Sequence, residues 1–288
     1  MDLRALAILL GIAAACGGAA HTATPTQDGS RGVQALQARC DRGEALPCDV
    51  AAAVFEIGAP GVPQNLARAR VLHERSARLT FDACAANDQA ACRRIVLSAK
   101  ITYASSKDPD ERKRIATLMV NAGTRGCHAG DFETCIDVAA IVHGDEAGPS
   151  DRALSRELVG FACVHDHQRA CVELALTLVN EPTDARDRAR AGELLEAACA
   201  KANADGCELL ATYRLSDGPT AAAGARNAAK RACELEDAGG CAVLGHTLLD
   251  GIGGPVDPSG ARVAFETACR GGDQRGCQML QRLDATTP

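Results

Sequence analysis

"ACELEDAGGCAVLGHTLLDGIGGPVDPSGARVAFETAC", residues 232–269, sets two cysteines eight positions apart around an acidic, glycine-containing turn, and a third cysteine 28 residues after the second. Between the second and third lie two stretches with apolar residues at helical spacing. The first, Cys241 to Asp250, carries Leu244, Leu248 and Leu249 on one face with small Gly245 beside them; "GIGGPVDPSG" breaks it, and a second begins near Ala261 and runs to Cys269. The stretch reads as helix, loop, helix, with a sulfur at each junction.

The pattern extends along the chain. Cysteines fall at 40 and 48, 84 and 92, 127 and 135, 163 and 171, 199 and 207, 233 and 241, 269 and 277, and successive pairs begin 44, 43, 36, 36, 34 and 36 residues apart. A fixed period of this size is the mark of a repeat array. The spacing predicts a leading helix from about Val33 to Cys40, six helix–turn–helix units and a closing helix from Cys277 to Leu283. In the first two units successive staples are 36 and 35 positions apart against 26 to 28 later, an excess of about two helical turns. The expected fold is an all-α, α/α superhelical solenoid, whose stacked units bury their faces against neighbours and leave a concave surface.

The fifteenth cysteine, Cys16, stands apart. Arg4 precedes an apolar run from Ala5 to Ala15, too short to span a bilayer but of the length of a signal-peptide core. Ala13, Ala14 and Ala15 before Cys16 resemble a bacterial lipobox, so residues 1–15 read as a signal peptide and Cys16 as a lipid-attachment site. Gly17, in place of the aspartate that retains lipoproteins at the inner membrane, points to the outer membrane. Residues 16–31 read as the lipidated cysteine and a flexible tether of roughly 20 Å, and residues 32–288 as the solenoid. The expected location is the periplasm or cell surface.

In an oxidising compartment, regularly paired cysteines form disulfides. Zinc is the competing use, but structural zinc sites favour cysteines two to four residues apart, and no C-x-x-C occurs. Local chemistry argues for pairing within each spacing of eight. Three residues after each first cysteine come Gly43, Asn87, Gly130, Asp166, Ala202, Glu236 and Gly272, and Gly and Asn suit a left-handed helix end. The next residues are Glu44, Asp88, Asp131, His167, Asn203, Asp237 and Asp273, mostly side chains that cap a new helix. The expected bridges are Cys40–Cys48, Cys84–Cys92, Cys127–Cys135, Cys163–Cys171, Cys199–Cys207, Cys233–Cys241 and Cys269–Cys277. In the loop-entropy model each ring of nine residues contributes about 2.5 kcal/mol. The chain has no Trp and two Tyr, and the cysteines take the place of aromatic packing.

The stapled stretch, continued to "RGGDQRGC" at 270–277, resembles the Sel-one-like repeat family, relatives of the tetratricopeptide repeats, and within it the exported branch in which "AC-x7-C" staples join consecutive repeats. The likeness covers about residues 32 to 288. It implies an all-helical solenoid used for protein–protein contacts. It also implies an alternative, since some exported members are associated with penicillin binding or weak β-lactam hydrolysis.

The residues give that alternative little support. A serine β-lactamase needs S-x-x-K with S-D-N and K-T-G partners; here Ser98 is followed by "AKI", and Ser216 lies in "SDG" with no K-T-G downstream. No catalytic residue, cofactor or metal site is assigned. His165, Asp166 and His167 fall in one turn, and the favoured reading is that His167 caps a helix while His165 is exposed. "DGIGGP" at 250–255 follows a helix and lacks a lysine, unlike a phosphate cradle. A net charge of −6 and a pI of about 5.7, with no basic stripe among aromatics, argue against nucleic acid.

The expected partner is another envelope protein or an extended peptide on the concave face, with membrane contact through the N-terminal lipid only. The residues read as lining that face are Arg94, Ser98, Glu173, Thr177, Tyr213, His246 and Asp250. They are mixed polar side chains on helices that are apolar nearly all round, so packing against neighbouring helices is the competing role.

Overall fold

The computed structural model describes residues 29–144 and 150–286. The proposed signal peptide, Cys16 and most of the tether lie outside the described residues. Fourteen α-helices follow one another among the described residues, with no named strand. The chain divides into two compact units, one ending at Ala162 and the other beginning at Cys163.

The first unit contains α1 (Gly29–Asp41), α2 (Ala45–Ile57), α3 (Leu66–Ala85), α4 (Gln89–Ser105), α5 (Pro109–His128), α6 (Phe132–His143) and most of α7 (Arg152–Val164). The second contains α8 (Gln168–Asn180), α9 (Ala185–Ala200), α10 (Ala204–Ser216), α11 (Ala222–Glu234), α12 (Ala238–Leu249), α13 (Pro258–Arg270) and α14 (Gln274–Thr286), with a 3-10 turn at Pro219–Ala221. Helix α1 starts at Gly29, so residues 29–31, read from sequence as tether, already belong to it. The extra length of the early repeats is helical. Helices α3 and α5 have 20 residues each and α4 has 17, against 13 in α11 and α13.

Each junction is built in the same way. The third residue after the first cysteine has positive φ in all seven cases, from 60° at Ala202 to 102° at Gly130. In six of the seven, the next N–H donates back to the carbonyl of the residue before the first cysteine, as from Asp88 to Ala83 (2.9 Å), Asp131 to Gly126 (2.9 Å) and Asp273 to Ala268 (2.9 Å). This is a Schellman helix end, which satisfies carbonyls that the helix leaves over. Except at Glu44, whose side chain makes no cap bond, the same residue then caps the following helix. Asp88 accepts from Ala91 N–H (2.8 Å), Asn203 from Gly206 N–H (2.7 Å), Asp237 from Gly240 N–H and His167 from Ala170 N–H (3.3 Å).

Reversal within so few residues brings the paired Cα atoms to 4.4–4.8 Å, and all seven pairs are bonded as disulfides. So close a crossing leaves no room for side chains. A Cβ on Gly206 would stand 2.7 Å from Cβ of Ala198, and one on Gly276 would stand 2.6 Å from Cβ of Ala268. Gly240 meets Ala232 in the same way.

Farther along, Ala51, Ala52, Ile95, Val96, Val138, Ala139, Leu174, Ala175, Leu210 and Ala211 are all at most 4 % exposed. The second position of each couple is small, except at Val96. There the facing helix α5 supplies Gly123, whose missing Cβ leaves space for Val96 and Val138. Gly245 serves α13 similarly, since a Cβ there would lie 2.5 Å from the Phe265 ring.

Candidate functional site: the second-cysteine helices

The helices that begin at a second cysteine carry most of the candidate surface, and ion pairs join some of them within each unit. In the first unit, Arg93 and Lys100 of α4 pair with Asp131 (3.6 Å), the N-cap of α6, and with Asp137 of α6 (2.6 Å). In the second, Arg275 of α14 contacts Glu208 of α10 at 3.3 Å. Burial, and next the charge of Asp237, push the Glu208 carboxyl above its usual range, against the pull of Arg275.

Of the seven residues read from sequence as a binding face, Arg94 and Ser98 lie in the first unit and the other five in the second. Ser98 is only 2 % exposed and sits in the packing of α4, so its assignment to an open surface is corrected. Arg94 is half-buried on the same helix. Glu173 and Thr177 are half-buried on α8, where the Thr177 hydroxyl donates to the Glu173 carbonyl (2.9 Å). Tyr213 is stitched to α9. Its hydroxyl donates to the Arg188 carbonyl (2.8 Å), and the Arg188 guanidinium lies 4.9 Å from the ring centre. His246 meets Phe265 of α13 edge-on at 5.1 Å. Asp250 is exposed just past α12. Tyr213 and His246 therefore take the competing role, contact with neighbouring helices.

The exposed side chains that sequence reasoning passed over are aliphatic. On α2, Leu46 (54 %), Val50 (37 %) and Ile57 (82 %) recur at spacings of four and seven and so share one face. On α4, Leu97 and Ile101 stand one turn apart at 44 % each. The available signal was the apolar character of these helices all the way round, since only one stripe can be buried.

No catalytic arrangement forms around the serines considered from sequence. Ser216 donates to the Tyr213 carbonyl (2.6 Å) and accepts from Arg188 (2.8 Å). A different serine, Ser76, lies near His73 and Asp49, but its hydroxyl contacts Asp49 Oδ2 (2.7 Å) and the Ala45 carbonyl (2.9 Å), not the imidazole. A nucleophilic triad requires the serine–imidazole bond, and Ser76 is fully buried. His73 instead holds two carboxylates, Asp49 Oδ1 at Nδ1 and Glu56 Oε1 at Nε2, each at 3.2 Å.

His167 serves as the N-cap of α8, and Asp166 occupies the left-handed position with φ 63°. Among the described residues no group of three His, Cys, Asp or Glu is placed to hold a metal ion, and no helix is long and apolar enough to cross a membrane. The glycine-rich loop after α12 is held by Arg226, whose guanidinium donates to the carbonyls of Thr247 (2.6 Å), Ile252 (2.7 Å) and Pro255 (2.9 Å).

No protein-family model matches the chain, and no curated protein matches it significantly in sequence. Solved structures do match. A Sel1 repeat protein from Oxalobacter formigenes aligns over 72 % of this chain and 82 % of its own, with TM-score 0.57 and 15 % identity. A protective antigen from uropathogenic Escherichia coli strains, described as displaying an SLR fold, aligns over 89 % of this chain with TM-score 0.49 and 14 % identity; the chain spans 60 % of that protein. The fold is the all-α repeat fold of the Sel1 (Sel-one-like) repeat proteins.

Proposed function

We propose that this chain is an exported, lipid-anchored scaffold of the bacterial cell envelope that holds another protein on its repeat helices. Stacked α/α repeats present extended surfaces suited to protein partners. The observation that carries the reading is the aliphatic exposure on regularly stapled helices: Leu46, Val50 and Ile57 on α2, and Leu97 and Ile101 on α4. Exposed apolar groups at helical spacing favour contact with a partner. Export is supported by seven disulfides, which persist in oxidising compartments. In this reading residues 1–15 are the signal peptide, Cys16 carries the lipid and residues 16–28 form the tether.

The test is affinity purification from the native envelope in mild detergent, with mass spectrometry of retained proteins and of the Cys16 peptide. The expected result is a stoichiometric protein partner, lost in the Leu97→Glu/Ile101→Glu variant, together with lipid on Cys16. A fully bridged chain that retains nothing would overturn the scaffold reading, and an unmodified Cys16 would overturn the anchor. The hydrolase alternative gains no support from the environments of Ser98 and Ser216.

A further inference from the structure

The cluster between α2 and α3 has no part in the proposed partner surface, yet it is a buried, charged constellation. Asp49 and His73 are 6 % and 7 % exposed and Ser76 is fully buried. The three residues and Glu56 make four polar contacts in a row. Glu56 Oε1 meets His73 Nε2, His73 Nδ1 meets Asp49 Oδ1, and Ser76 Oγ meets both Asp49 Oδ2 and the Ala45 carbonyl.

Each contact needs one proton between its two heavy atoms. With both carboxylates ionised, the serine supplies one proton and a neutral imidazole one more, leaving two contacts with none. An imidazolium fills both carboxylate contacts of His73 and leaves only the serine proton to be shared. A neutral ring would turn a nitrogen lone pair toward a carboxylate at 3.2 Å.

We propose that His73 is a proton-operated latch, holding α2 against α3 through Asp49 and Glu56 while its ring is doubly protonated, and releasing Glu56 and the end of α2 when that proton leaves. The groups facing the ring are Asp49 and Glu56 of α2, and Ser76, from the helix of His73, holds the other oxygen of Asp49. Arg75, two residues on and turned to another side of α3, pairs with Asp41 of α1 (2.9 Å). No group of α4 or α5 occupies a ring nitrogen of His73.

The electrostatics agree with the geometry. The hydrogen bond to Asp49 raises the His73 pKa above the ordinary 6.5, burial opposes this, and the charges of Asp49 and Glu56 add to the rise. A histidine raised in the folded state gives its full stabilisation below the unfolded pKa and loses it as pH climbs through the folded one. The latch is therefore shut below the ordinary histidine pKa and opens as pH climbs through the raised one. Asp49 and Glu56 immediately precede the exposed Val50 and Ile57, so the latch would also govern how firmly that aliphatic face is held; this clause rests on the partner reading.

The test is an NMR titration of the ring nitrogens of His73 in the full disulfide-bonded chain, with hydrogen exchange of the amides of residues 53–57, corrected for intrinsic rate. Both ring nitrogens are expected to carry protons below pH 6.5, with a midpoint above 6.5. Protection of 53–57 is expected to fall with deprotonation by about tenfold for each unit by which the midpoint exceeds the ordinary value. Glu56→Gln, at a half-exposed position that leaves the core intact, is expected to lower the midpoint, and Glu44→Gln to leave it unchanged. A midpoint at or below 6.5, one indifferent to Glu56→Gln, or protection constant through the titration would each overturn the latch. All of these readouts use the chain alone, so a failure to find a partner leaves the latch standing and the converse holds equally.

Discussion

Arg275, in the first turn of α14, reaches past α12 to Glu208 on α10, 67 residues earlier, and the two side chains meet at 3.3 Å. Gly239 of α12 leaves the gap that they cross, since a Cβ there would overlap the Glu208 carboxylate. The neighbouring Gly240 faces Cβ of Ala232 at the staple instead. Two adjacent glycines thus face obstacles of different stiffness. A carboxylate on a flexible stem swings away, whereas a stapled helix does not. Gly239→Ala is expected to break the ion pair at a cost below about 1 kcal/mol, as for exposed pairs, and Gly240→Ala to cost about 1–3 kcal/mol by overpacking. Urea denaturation of the oxidised chain separates the two.

Removing Arg275 leaves Glu208, already raised by burial and by Asp237, without its counter-charge. Arg275→Met is expected to raise the Glu208 pKa further. A carboxyl raised in the folded state is favourable while protonated and loses that advantage as pH climbs through its folded pKa. The deficit of the variant relative to the parent is therefore expected to be larger at pH 7 than at pH 4. Equal deficits at both would contradict the assignment.

Four junctions place a residue with a Cβ in the left-handed region: Asn87 (φ 65°), Asp166 (φ 63°), Ala202 (φ 60°) and Glu236 (φ 64°). Asn and Asp tolerate this better than Ala and Glu. Ala202→Gly and Glu236→Gly are each expected to stabilise the second unit by about 0.5–1 kcal/mol, whereas Asn87→Gly should gain less. Denaturation midpoints compared at constant m-value check the ranking.

The cysteines differ in shelter between the two units. All six staple cysteines of the first unit are at most 3 % exposed, while Cys163, Cys171, Cys269 and Cys277 are only half-buried. Thiol–disulfide exchange requires a thiolate to reach sulfur. Brief treatment of the folded chain with a dithiol, followed by alkylation and peptide mapping, is expected to label the 163–171 and 269–277 pairs before any pair of the first unit. Uniform labelling would mean that reduction proceeds through unfolding.

Acid is expected to act on the caps. The Gly260 N–H and the Ser259 hydroxyl hold the Asp257 carboxyl below its usual range, as Arg275 does for Asp273. A depressed carboxyl contributes stability above its unfolded pKa and loses it as pH falls through the folded one. Asp257→Asn should therefore flatten the stability profile below pH 3.8. A profile identical to the parent's would show that this cap carries no linked proton.

The turns and bridges were legible because each depends on residues within ten positions of one another, and the repeat because that local pattern recurs along the chain. The helix end at Gly43 or Gly130 and the cap at Asp88 or Asn203 are local chemistry that a short window contains. What sequence could not supply was the azimuth of each helix. Tyr213 and His246 look like surface polar groups until α9 and α13 are set beside them, and Ser98 looks open until α4 is packed. The His73 cluster was missed for a related reason, since its members are spread from Asp49 to Ser76 and meet only when α2 and α3 pair. The aliphatic stripe on α2 stayed hidden because a helix apolar on every side does not announce which side is left uncovered.

A bridge that closes after eight residues also decides the order in which sulfurs find each other. Fourteen cysteines admit a very large number of pairings, yet as a chain emerges in sequence order, from a ribosome or through a membrane pore, the right partner of every odd-numbered staple cysteine is the next one to appear. A turn that forms from its own residues brings the two together before any later cysteine arrives to compete. Oxidative maturation can then proceed as a series of independent local closures, repeated seven times, with little need for an isomerase to correct the connections.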